Sequence, residues 1–475
     1  MTLDILFIND VHGYIAPHNE LFYDENGEYI AEAGGYARLF TKVEELRKKN
    51  PHTLLFDGGD TFHGTKPIVY SRGQAMIPIL NKMDFDAMTS HWEFAYGPEQ
   101  LKNLTNQLNY PNLACNIYKP NGEMFTEPTK MFNVEDVKIG VIGLAALIVD
   151  KVMPPSFAGD LRFTNGIKEV PGHIEKLKKE GANLIVLLSH NGFPQDMELL
   201  KQVNGIDVCL SAHTHNRLYS PVKINGSLII QCGCHGSFLG KLMLDLKEGK
   251  IQSHQYELIT IDDKISENEE MKTLVDHVLK DHKDIFTTNV GKTKKLLHRY
   301  AGINASLDEL MHSGACFVTN TDICFSNGWR YGIPIEKGNI TENDLYNMAP
   351  MNPPVSVIEL TGEEIKDMLE ENLAHTYNCD PMKQMGGYAK RIFGLHLNVR
   401  IENPDGERIQ ELFFKGRHIE MDKVYRASFI TIQGVPSKYG KNRKKTEFKL
   451  VESIKLYLNK HPEFSPTKNQ TYRLV

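Results

Sequence analysis

The sequence predicts an α/β layered domain over residues 1–262, a helical connector over 263–286 and a mixed α+β domain over 287–475. Three observations carry this division. Short apolar runs alternate with amphipathic stretches through the first half, as strands do when crossover helices separate them. The stretch ENEEMKTLVDHVLKDHKDIF has few apolar positions and no turn signals, as expected of a helix joining two domains. Beyond it, helices mix with alternating strands joined by short turns.

In chain order the apolar runs are DILFI (4–8), HTLLF (52–56), VKIGVIGLAAL (137–147), ANLIVLL (182–188) and IDVCL (206–210). YARLFTKVEELRKKN (36–50) and VPGHIEKLKKEGA (170–182) read as amphipathic helices between them. SLIIQCG (227–233) and the long run over 239–261 are expected to finish the sheet as a hairpin. In the last domain TTNVGKT opens with a strand and PVSVIELTG (354–362) supplies another. GLHLNVRIENPDGERIQELFF places a Pro-Asp-Gly turn between two alternating strands.

Four runs of the first domain end in metal-ligand residues. DILFI leads into Asp10 and His12, HTLLF into Asp57 and Asp60, ANLIVLL into His190, and IDVCL into His213 and His215. Ligands of open α/β sheets bind at the carboxyl ends of strands, so these side chains are expected to converge on one edge. Carboxylates and imidazoles crowded together are costly to bury without a cation. Mixed O and N donors suit Mn, Zn, Fe or Co, and six or seven of them are enough for two divalent ions sharing a bridging carboxylate.

Composition narrows the alternatives. With 41% hydrophobic and 24% charged residues the chain has ordinary globular usage rather than that of a disordered or membrane-embedded protein. A net charge of −6 argues against binding to a nucleic-acid polymer, and the basic KYGKNRKK (438–445) reads as a solvated loop. Seven scattered cysteines suit buried free thiols rather than a disulfide framework. The opening MTLDILFIND lacks the apolar core of a signal peptide, so the expectation is a cytoplasmic protein without a membrane partner.

In this order, the boxes Asp10-x-His12, Gly59-Asp60, His190 and His213-x-His215 resemble those of the calcineurin-like metallophosphoesterases. With the second domain, the chain is similar to the two-domain 5′-nucleotidases. The resemblance implies a four-layer α/β/β/α domain with two metals, a linker helix, and a C-terminal domain that contacts substrate. It assigns Asp10, His12, Asp60 (bridging), His190, His213 and His215 as metal ligands, with Ala212 where the family has glycine. It also implies hydrolysis of a small phosphate ester by a metal-bridging hydroxide.

MTSHWEFAYG departs from that pattern. The family has Gly-Asn-His-Glu-Phe-Asp there, with Asn a ligand and His and Asp a dyad that assists the leaving group. His91 falls at the ligand position, where an imidazole can replace an amide oxygen. Trp92 and Ala95 replace the dyad, and nearby His63 is the candidate substitute acid. The HWEF variant resembles the thiosulfohydrolase branch of the family, as do FSNGWRYG (325–332) and YNCDPMKQMGG (377–387). In the second domain, Arg330 matches the family's anion-binding arginine, while Phe429 and Phe393 match or lie near the aromatic clamp for a base. Val435 stands where the family's nucleoside-contacting aspartate would be. Three functions remain open: a dimetal phosphate-ester hydrolase, a hydrolase of S-linked sulfonate, and a metal-binding pseudoenzyme.

Overall fold

In the strand Thr2–Ile8, Leu3, Ile5 and Phe7 point to one side while Leu6 and Ile8 point to the other, and all five are fully buried. Period-two alternation with both faces apolar requires a layer on each side. The computed structural model, which describes residues 1–467 and 471–475, supplies both. Leu6, Ile8 and Leu55 meet the helix Tyr36–Lys49 through Leu39, Phe40 and Val43. Leu3, Ile5, Phe7, Leu54 and Phe56 meet Val141, Val186, Leu188 and Leu210 of a second sheet.

The chain divides into two compact units, residues 1–20 with 31–281, and 21–30 with 282–475. The first contains two sheets. One is five-stranded, in the order 250–260, 238–247, 2–8, 53–57, 87–88. The other is six-stranded, in the order 222–224, 227–230, 208–211, 184–189, 137–144, 129–134. Helices Val170–Lys179 and Phe193–Gln202 lie against the second sheet, completing the α/β/β/α sandwich.

The expected hairpin needs revision. Ser227–Ile230 pairs in parallel with Val208–Ser211 in the second sheet, so it does not form a hairpin with the run that follows. That run forms its own hairpin, Phe238–Lys247 with Lys250–Thr260, at the edge of the first sheet. Its turn, Glu248-Gly249, has φ of 51° and 71°, the paired positive values that match the twist of the strands. Within the connector stretch, the helix Glu269–Leu279 buries Met271 and Val275 in the core of the first unit.

The second unit is built on a five-stranded sheet in the order 388–393, 323–328, 424–430, 354–361, 441–449. The helix Gly362–Thr376 starts at a capping box: Thr361 accepts from the Glu364 amide, and Glu364 accepts from the Thr361 amide. The Pro-Asp-Gly turn joins Leu395–Val399 to Ile409–Phe414 as an antiparallel pair. Among the described residues no helix is long and apolar enough to cross a membrane. The basic 441–445 stretch belongs to an exposed strand, Lys441–Lys449, rather than to a loop.

Candidate metal centre

The two sheets bring the strand ends together. Asp60, His91, His190 and His213 form one group of potential ligands, and Asp10, His12 and His215 a second. All seven of the side chains expected as ligands are therefore assembled. Asp60 Oδ2 reaches into both groups, 3.1 Å from His91 Nδ1, 3.2 Å from His190 Nε2 and 3.7 Å from His12 Nε2. Asp10 Oδ1 lies 3.2 Å from His215 Nε2 and 3.6 Å from His190 Nε2.

Local backbone explains how these side chains point inward. Asp10, His12, Asp60, His213 and His215 all have positive φ, between 51° and 73°. Non-glycine residues rarely occupy this region, and such strain gathers at functional sites. Backbone hydrogen bonds hold the strained turns: the Asp10 amide donates to Gly59, and the His12 amide to Asp60. Gly58 is required by crowding, since a Cβ there would sit 2.7 Å from Asn9 Cβ and 3.0 Å from Ala212 Cβ. Ala212 thus fits where the family has glycine because its neighbour across the site has no side chain.

The donor atoms fit cations. His190 Nδ1 donates to the Gly58 carbonyl at 2.5 Å, which turns Nε2 toward the carboxylates. His190 Nε2, His91 Nε2, His215 Nδ1 and Asp10 Oδ1 are buried without hydrogen-bond partners. His12 Nε2 and His215 Nε2 face each other at 3.2 Å. Burial disfavours a charged His190, yet Asp60 and Asp10 outweigh it and carry the ring up to about 10. Burial also opposes charge on Asp60, but His91 and His190 pull that carboxyl well below the usual range. Divalent ions would replace the protons that these groups hold between them.

Glu93, next to the ligand loop, is a residue that strand-end reasoning missed. Its buried carboxylate accepts from the Thr61 amide at 2.6 Å and from the His91 amide at 2.7 Å, tying the bridging loop to the His91 loop. Its signal was a lone acid inside an otherwise apolar run. Asn9 is similar: its amide donates to Asp10 Oδ2 at 2.6 Å and to the Gly233 carbonyl at 2.8 Å.

His63 has a different character from a substitute acid. Its ring is fully buried and stacks on Trp92 at 4.6 Å, and burial pulls it down to about 3. The ring is neutral at pH 7 and a weak proton donor there. In the second unit, Arg330 follows the strand Ile323–Gly328, donates to the Gly387 carbonyl at 3.0 Å and lies over the Tyr388 ring. Phe393 ends the strand Tyr388–Phe393 and is half-buried. Phe429 is 4% exposed, packed in the core and covered by Arg443, which is the placement of a core residue rather than an open clamp.

A four-layer sandwich with two groups of carboxylate and imidazole ligands at its strand ends defines a metallophosphoesterase-type domain. Residues 3–217 match the calcineurin-like phosphoesterase family and residues 290–430 the 5′-nucleotidase C-terminal domain. The chain thus joins a calcineurin-like phosphoesterase match to a 5′-nucleotidase C-terminal match, a two-domain order. It is 25% identical over 457 residues to human 5′-nucleotidase, covering 86% of this chain and 77% of that protein. It is also 25% identical over 449 residues to the trifunctional nucleotide phosphoesterase YfkN of Bacillus subtilis, covering 82% of this chain but only 30% of YfkN. Its fold matches the sulfate thiohydrolase SoxB of Thermus thermophilus with a TM-score of 0.92 at 23% identity, covering 100% and 96% of the two chains. A 5′-nucleotidase precursor, also from Thermus thermophilus, matches at 0.87 and 21% identity, covering 100% and 99%.

Proposed function

We propose that this protein is a dimetal-dependent hydrolase of small phosphate esters. The observation that carries the reading is Asp60 Oδ2, a single carboxylate oxygen within 3.7 Å of imidazoles from both ligand groups. Asp10, His12 and His215 would hold one ion and His91, His190 and His213 the other, with Asp60 between them. Two divalent ions, when bound, supply Lewis acidity toward phosphoryl oxygens and activation of the nucleophile. The imidazole-rich set favours borderline ions such as Mn, Zn, Fe or Co. Relatives named as 5′-nucleotidases and a nucleotide phosphoesterase support the ester class.

The chain's own residues orient and exclude. The Gly58 carbonyl fixes the His190 ring, Glu93 fixes the loops of Asp60 and His91, and the stacked His63–Trp92 pair forms an apolar wall beside them. Arg330 is the anion contact that we propose for the second unit, because a guanidinium fork matches phosphate geometry. A second reading, hydrolysis of an S-linked sulfonate, is favoured by Trp92 and Ala95 at the positions of the family's proton-donating dyad, since a sulfur leaving group needs little protonation.

Turnover separates the readings. Protein loaded with Mn²⁺ would be assayed against phenyl phosphate, a nucleoside 5′-monophosphate and an S-sulfonate. Phosphate release from either ester is expected, preference for the S-sulfonate would transfer the assignment to the second reading, and inactivity on all three with metal bound would leave a pseudoenzyme.

A further inference from the structure

A third group of ligand-type side chains lies outside the set just described: His18, Glu20 and His235, whose donor atoms all fall within 4.8 Å of one another. We propose that these three residues form a separate cation site suited to a zinc-class ion. The first argument is spacing. Glu20 Oε2 is 3.3 Å from His235 Nδ1 and 2.9 Å from Ser237 Oγ, and Ser237 Oγ is 3.2 Å from His18 Nε2. An ion with ligands at about 2.1 Å in tetrahedral geometry separates them by about 3.4 Å. Two imidazoles, a carboxylate and an optional hydroxyl are donors that Zn²⁺ or Co²⁺ accepts and that Mg²⁺ or Ca²⁺ does not favour.

The second argument counts protons. His18 Nδ1 lies 3.0 Å from the Ala16 carbonyl, so that nitrogen carries the hydrogen and Nε2 presents a lone pair. The Ser237 hydroxyl faces both that lone pair and the Glu20 carboxylate, and its single proton can serve only one. A cation among them would take the place of the Ser237 and His235 protons that otherwise pair these groups. Glu20 remains anchored because Arg217 donates to its other oxygen, Oε1, at 2.9 Å. That arginine removes part of the anionic charge, so the site relies on its imidazoles; Cys234 Sγ, 3.5 Å from His235 Nδ1, is a further soft neighbour.

The backbone is arranged for it as well. His235 has φ of 60°, the same strained region as five of the expected ligands, and its amide donates to the Asp10 carbonyl at 2.7 Å. Gly34 makes room for His18, since a Cβ there would lie 2.5 Å from His18 Cε1. His235 also stands 6.1 Å from His12 and 6.2 Å from His215, ring to ring, so an ion here would flank the Asp10–His12–His215 group.

The test counts metal. The full chain is saturated with Zn²⁺, freed of loose metal by gel filtration and analysed by inductively coupled plasma mass spectrometry, alongside His18→Ala, Glu20→Gln and the double variant His190→Ala/His213→Ala. The expected result is three ions in the wild type and one fewer in His18→Ala and in Glu20→Gln. An equal count in the wild type and in folded His18→Ala overturns the site, and if Glu20→Gln fails to fold by circular dichroism, His18→Ala decides alone. The double variant keeps the two questions apart. It should lose metal while retaining the ion that His18→Ala removes; if it loses none, the dimetal reading fails and the third site stands on its own difference.

Discussion

His91 Nδ1 lies 3.1 Å from Asp60 Oδ2, while the backbone N–H of the next residue, Trp92, donates to Asp60 Oδ1 at 2.7 Å. One carboxylate is therefore gripped at one oxygen and offered to both ligand groups at the other. Because the grip comes from a backbone amide, the side chain at 92 can change without releasing Asp60.

Asp60→Asn removes the charge that offsets the imidazoles of both groups. Bound metal should fall by at least one ion per chain relative to the wild type, and turnover by at least about two to three orders of magnitude, the scale on which loss of one charge-stabilising group acts. Metal analysis together with kcat on phenyl phosphate checks this. Wild-type metal content in the variant would remove Asp60 from its bridging role.

Glu93→Ala leaves the amides of Thr61 and His91 without their buried acceptor. Each unsatisfied buried donor costs about 1–3 kcal/mol, so the variant should lose roughly 2–6 kcal/mol of stability. Metal affinity should weaken by about 10–100-fold, as when a group that orients ligands is lost. Denaturant unfolding and metal titration measure the two effects separately.

The clustering of these side chains was legible in the sequence because the sheet does the assembling. A strand followed at once by Asp or His needs only a shared edge, and Asp10, Asp60, His190 and His213 all meet that condition. The split into two sheets was not legible from periodicity, because strands buried on both faces read as uniform apolar runs whichever sheet they join. Ile5 and Val186 look alike in sequence, yet they belong to different sheets that pack into one central core. Glu20 and His235 escaped for another reason: they lie 215 positions apart in the chain, and only the folded turns bring them together.

Lys390 gives a pH-dependent prediction within the second unit. Its ammonium is buried, donates to the Gln433 carbonyl at 2.7 Å, and burial pulls it down from 10.5 to about 8. A folded pKa below the unfolded value means the folded state binds protons less well. The penalty is therefore full below pH 8, fades between 8 and 10.5, and is absent above. At about 1.4 kcal/mol per pH unit this is roughly 3 kcal/mol at pH 7, offset in part by the roughly 1 kcal/mol hydrogen bond. Lys390→Met should raise stability by about 2 kcal/mol at pH 7 and lose that advantage by pH 10.5. Thermal melts across that range check it, and a gain that persists above pH 10.5 would point to packing instead.

The missing dyad makes the leaving group the sharpest probe. A positioned general acid is worth about 10²–10⁴-fold when the departing oxygen is a poor leaving group and far less when it is a good one. Trp92 occupies the acid's position with its ring stacked on neutral His63, and Ala95 is buried where the partner carboxylate would be. The wild type should therefore hydrolyse an aryl phosphate about 10²–10⁴-fold faster than an alkyl phosphate of similar size. Trp92→His with Ala95→Asp installs the absent pair and should narrow that gap, raising the alkyl rate by at least about tenfold while leaving the aryl rate nearly unchanged. The double variant also gives up the stacking on His63, so its folding is monitored by circular dichroism and its metal content is counted. A folded, metal-loaded double variant with an unaltered aryl-to-alkyl ratio would mean that protonation of the leaving group is supplied elsewhere, or that the chemical step is not the one being timed.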